Sequence, residues 1–199
     1  MRQQMTFAAV AAMLAIGMGS GPVPVRAAGG PAAIGQHQDF FSFLHGRSRG
    51  GDRISANLQS ENEVPTISSP ARGKFEAEIN DDSVEYELSF EGLQGVVTQS
   101  HIHIAQPNVN GGIMVWLCNT TTNPGPASFT GPACPAAPGG TVTGTIEAAD
   151  VLAVTAQGIA AGEFGEFVAA LKKELAYVNV HSSLFLGGEI RGQIGRRHR

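Results

Sequence analysis

AYVNVHSSLFLGGEIRGQI, residues 176–194, reads as two alternating strands around a short loop. Successive strand side chains face opposite sides, so Val178 and Val180 share one face while Tyr177, Asn179 and His181 share the other. The second strand repeats the pattern, with Ile190, Gly192 and Ile194 on one side and Glu189, Arg191 and Gln193 on the other. A hairpin built this way presents one apolar core face and one densely functionalised polar face. The polar face is expected to point away from the core and to carry function, with Asn179, Glu189 and Arg191 as a contact face or as groups that orient a neighbouring ligand.

Outward from this hairpin, short alternating runs recur at 53–58, 71–79, 83–90, 99–104, 113–117 and 141–146. Val84, Tyr86, Leu88 and Phe90 alternate with Glu85, Glu87 and Ser89, and Asn80-Asp81-Asp82 makes a compact turn before them. Short spacings favour antiparallel pairing. Between 163 and 175 the period changes: Phe164, Phe167, Val168 and Leu171 lie on one helical face. The expected fold is mainly β, an antiparallel β-sandwich or partly closed Greek-key-like barrel, with one helical crossover before the final hairpin.

Residues 1–27 have the make-up of a secretory signal: Arg2 begins it, an apolar stretch of small residues follows, and Val25-Arg26-Ala27 offers a cleavage site. Residues 28–52 read as a flexible leader or linker interrupted by Phe40, Phe41, Phe43 and Leu44, residues 53–195 as one β domain, and residues 196–199 as a basic tail. The apolar core of the leader falls short of the roughly 20 residues a spanning helix needs, so no transmembrane segment is expected in the mature chain. The expected location is extracellular or periplasmic. Loss of Arg2 and Arg26 moves the formal charge from −4 to −6, which argues against nucleic acid as a partner and leaves an extracellular protein or surface component.

Cys118 and Cys134 enclose 15 residues rich in Pro, Gly, Thr and Ala. An oxidising compartment and an even count favour a disulfide, and closing a loop of this size contributes about 3 kcal/mol by restricting the unfolded chain. A zinc pair is the weaker alternative, because no second ligand pair lies nearby.

His101-Ile102-His103-Ile104 puts two imidazoles on one strand face and two isoleucines on the other. If this strand lies near the final hairpin, His181 joins them, and three imidazoles make a copper or zinc site at the protein surface. The alternative is that these histidines hydrogen-bond backbone, carboxylates or water without holding metal. Glu189 and Arg191 likewise either form an exposed ion pair or network of modest worth or orient a ligand imidazole. Ser182 and Ser183 adjoin His181 without a nucleophile elbow, so no hydrolytic site is expected. Any activity would be a metal-dependent redox one.

SANLQSENEVP at 55–65, YELSFEGLQG at 86–95, SHIHIAQPNVNGG at 100–112 and the final hairpin together resemble the CHRD domain, the module repeated in chordin and found singly in secreted microbial proteins. The resemblance covers roughly residues 53–194. It implies a secreted β-sandwich-like module, hence a non-enzymatic extracellular binding or surface-organising role, with the copper or zinc protein as the competing reading. Chordin's growth-factor partner does not carry over, since its cysteine-rich binding modules are missing here. The His101-x-His103 pair and GGEIRGQIG at 187–195 also bear a fainter similarity to copper–zinc superoxide dismutases, but a bridged two-metal ligand set and an Asp ligand are not evident.

Overall fold

The computed structural model describes residues 52–196. The expected signal segment, nearly all of the leader with its phenylalanine cluster, and the last three residues of the tail lie outside them.

Among the described residues nine strands and one α-helix follow one another: β1 (Asp52–Gln59), β2 (Arg72–Ile79), β3 (Val84–Glu91), β4 (Val97–Ile104), β5 (Gly112–Cys118), β6 (Gly140–Ile146), α1 (Phe164–Lys172), β7 (Ala176–Ser182), β8 (Ile190–Gln193) and β9 (Gly195–Arg196). They form one antiparallel sheet in the order β5-β4-β7-β8-β1-β2-β3-β6, with β9 continuing past β8 onto β1. The sheet curls into a nearly closed barrel, and across its interior the Tyr86 hydroxyl on β3 donates to Leu117 O on β5 at 2.5 Å. The fold class expected from the alternation is the one observed, including the single helix ahead of the last hairpin.

Local chemistry accounts for the elements. On β3 the Val84, Tyr86, Leu88 and Phe90 side chains are buried and the glutamates between them exposed, and Asn80 N–H donates to Ser83 O at 2.8 Å to close the turn from β2. Phe167, Ala170 and Leu171 bury one face of α1. The helix ends where Glu174 takes a left-handed φ of 60° and Leu175 N–H returns to Ala170 O at 3.0 Å. Phe75, Leu88, Ile102, Leu117, Phe167, Val178 and Ile190 share the barrel core. Cys118 and Cys134 are joined in a disulfide. Arg196, at the start of the expected tail, is held in β9, with Nε donating to Lys172 O at 2.9 Å.

One expectation needs correction. The polar face of the final hairpin does not face water: every residue of β7 is buried, and Arg191 on β8 is only 2 % exposed. Three loops, 60–66, 105–111 and 183–189, fold over it and bond to it. Asn62 Nδ2 donates to Arg191 O at 3.1 Å, and Asn110 Nδ2 donates to Val64 O at 2.9 Å. A strand buried on its apolar side by the barrel and on its polar side by loops keeps its alternating sequence, because the second burial is a polar one with its own hydrogen bonds.

Candidate metal centre

Strand register assembles the site. On the β4–β7 ladder Gln99 lies opposite His181, His101 opposite Asn179, and His103 opposite Tyr177. On the β7–β8 ladder Asn179 lies opposite Arg191. Directly opposed residues of an antiparallel pair share a face, so three histidines, Asn179, Tyr177 and Arg191 fall on the same side of three adjacent strands. Against β5, β4 slips register beside both His101 and His103. Such irregularities re-aim side chains, and they occur here at the two imidazoles.

The three rings converge, with one ligand nitrogen from each of His101, His103 and His181 lying within 4.8 Å of the others. All three are buried, His101 completely. They face away from the aliphatic core, as the alternation requires, but beneath the loops and not at the surface.

Backbone carbonyls set the tautomers. A carbonyl oxygen can only accept, so His103 Nδ1–H donates to Gly111 O at 2.9 Å and His181 Nδ1–H donates to Leu186 O at 2.9 Å. The Nε2 of each neutral ring then carries a bare lone pair. Those two nitrogens each stand 3.1 Å from Asn179 Oδ1, and His181 Nε2 also stands 3.2 Å from His101 Nδ1. The far nitrogen of His101, Nε2, is buried without a partner. Trp116 packs edge-on against the His101 ring, with centroids 4.3 Å apart.

Burial keeps these rings uncharged. It pulls His101 down to about 2, reinforced by the other two imidazoles, and His103 down to about 4 despite the Gly111 carbonyl. His181 is lowered by the same cause. Neutral imidazole is the form that ligates metals.

The remaining sequence candidates divide. Arg191 touches none of the imidazoles in a hydrogen bond: its guanidinium lies 3.4 Å from the Tyr177 ring centroid and donates to Val109 O at 2.7 Å and Asn110 Oδ1 at 3.0 Å. Tyr177 in turn stacks on His103 at 4.6 Å with the rings 3° from parallel. Arg191 thus reaches the site through an aromatic ring. Glu189 belongs to the framework, its Oε1 accepting from Ser69 Oγ and the Gln94 amide, both at 2.7 Å.

Sequence reading passed over Glu63, which sits in the SENEVP stretch that folds over the site. Its carboxyl is buried, its Oε1 has no hydrogen-bond partner, and burial pushes it up to about 7 against the pull of Arg191. The signal was present in the quoted motif. Only its fold-back over β7 and β8 gives it meaning.

An antiparallel β barrel with a buried histidine cluster under three loops is the class that fold and site define. The chain matches the CHRD domain family over residues 54–194 and belongs to it. No curated protein and no solved structure matches the chain.

Proposed function

We propose that this CHRD-domain protein is secreted and that its module binds one transition-metal ion, copper or zinc, through His101, His103 and His181. One observation carries the reading: two imidazoles whose Nδ1–H groups are spent on backbone carbonyls aim their remaining lone pairs at a common point. His101 Nδ1–H can donate to His181 Nε2 in the metal-free protein, but His103 Nε2 and Asn179 Oδ1 meet at 3.1 Å without a proton between them, and a cation removes that repulsion while using the donors already aligned. Imidazole suits both copper and zinc, copper supplying one-electron chemistry and zinc a fixed charge. The secreted assignment rests on the signal-like 1–27 segment, the Cys118–Cys134 disulfide and the family; among the described residues no helix is long and apolar enough to cross a membrane.

A second reading, an extracellular binding or surface-organising module, has its own observation. Leu184 and Leu186 are 64 % and 75 % exposed on the loop that covers His181, and Val96, 64 % exposed, is bonded through its backbone to Ser183 of the same loop. Metal content separates the two. The protein is purified without affinity histidines, reconstituted with copper or zinc, and compared with a His101→Ala/His103→Ala variant. Near one equivalent in the wild type, lost in the variant, is the expected result; no retained metal in either leaves the binding module and turns the search to partners.

A further inference from the structure

We infer that Asn179 is the fourth ligand of this centre, coordinating through its side-chain oxygen, which makes the site an N3O set for a divalent ion. The inference rests on the three-histidine reading and extends it.

Asn179 is 2 % exposed, and its Oδ1 is 3.1 Å from both His103 Nε2 and His181 Nε2. Neither contact is a hydrogen bond as the groups stand, since both ring nitrogens are deprotonated by the argument above and a carbonyl oxygen has no proton to give. Rotating the amide would put its NH2 toward the rings and remove the conflict. The structure instead turns the oxygen toward the rings and Nδ2 away from them. Gly188 leaves a gap where its Cβ would stand, and that gap is bordered by Asn179 Nδ2, 2.8 Å from the Cβ position, and by the unpartnered Glu63 Oε1. Gly188, at φ 127°, is the residue that leaves this space.

Consecutive spacings match those around one ion, and the imidazole nitrogens, up to 4.8 Å apart, draw closer on binding. His101 Nδ1, His181 Nε2, Asn179 Oδ1 and His103 Nε2 follow one another at 3.2, 3.1 and 3.1 Å. Ligands bound tetrahedrally at 2.0–2.1 Å stand about 3.3 Å from each other. Replacing a fourth nitrogen or a thiolate by a neutral oxygen hardens the donor set, favouring Cu2+ or Zn2+ over Cu+.

The test is a Cu2+ titration of the full chain, wild type beside Asn179→Asp and Asn179→Leu, followed by affinity and electron paramagnetic resonance. Wild-type protein is also grown with asparagine carrying 13C in the side-chain carbonyl. The expected result is one Cu2+ per chain with hyperfine coupling to that carbon. Asn179→Asp keeps the stoichiometry and binds at least tenfold tighter, and Asn179→Leu binds at least tenfold more weakly with an altered spectrum. One Cu2+ per chain with no carbon coupling and unchanged variants overturns the role of Asn179 and leaves the three-histidine site standing. No Cu2+ bound by the wild type overturns both. Should the leucine variant fail to fold, the near-isosteric aspartate and the labelled wild type still decide.

Discussion

His103 and His181 each give one nitrogen to a backbone carbonyl and the other to the common centre, while His101 turns Nδ1 to the centre and keeps Nε2 buried without a partner, and this burial makes single residues sensitive to pH. In the metal-free protein His101 and His103 stay neutral down to about 2 and 4, whereas in the unfolded chain they protonate near 6.5. Below 6.5 the unfolded state binds more protons, so stability is complete above that pH and falls as pH drops toward 4, by up to about 1.4 kcal/mol per pH unit for each histidine. Denaturant midpoints measured from pH 7 to pH 4 on metal-free protein should show this slope, and bound metal should lessen the fall near neutral pH by favouring the folded state.

Glu63 acts in the opposite sense. Its folded value of about 7 lies above the ordinary 4.5, so the native state holds the proton longer. Stability falls as pH rises from about 4.5 to about 7, by about 3 kcal/mol at most. Glu63→Gln should abolish that component, visible as a steeper rise of stability between pH 4.5 and 6.5, where Glu63 opposes the histidines, and a flatter profile just above. The outward placement read from the sequence implied that His103→Ala would be tolerated. Burial changes that: the variant leaves a cavity against Tyr177 and takes the donor from Gly111 O, and chemical denaturation should register a loss of about 1–3 kcal/mol.

At the scale of elements, β7 is the strand on which both interiors depend. Val178 and Val180 enter the barrel core, and Tyr177, Asn179 and His181 enter the covered polar layer. Val178→Asp places a carboxylate at a fully buried position with no partner in an aliphatic setting, a cost of several kcal/mol that should leave the domain unfolded or strongly destabilised by circular dichroism. The alternation that revealed β7 also misled about its second face. Alternation reports that two faces differ in polarity, and a polar face packed under loops carries the same pattern as one facing water. The loops that decide between these outcomes are joined to β7 and β8 by contacts as distant as Asn62 with Arg191, 129 positions apart.

For the whole molecule, the disulfide and the barrel seam act together. Cys118 ends β5, at one edge of the sheet, and Cys134 lies in the long connection to β6, at the other edge. Reducing the bond releases a 15-residue loop from the open side of the barrel, and Cys118→Ser with Cys134→Ser should lower stability by about 3 kcal/mol in urea. Gly125 and Phe129 of this loop pack on Trp116, which packs on His101. The same double variant should therefore change the fluorescence of Trp116, the single tryptophan of the chain.

Local patterning determined the strands, the helix, the disulfide partners and the side of the strand on which each histidine lies, because periodicity and turn chemistry are written in neighbouring residues. The cluster itself is not local. His101 and His181 are 80 positions apart and meet because β4 pairs with β7 in one register, a choice made by packing the whole barrel. The burial of the imidazoles and the company of Glu63 were likewise decided by the loops that close over the sheet. Hydrogen bonds between distant segments fixed those loops, and no single stretch of sequence contains both partners.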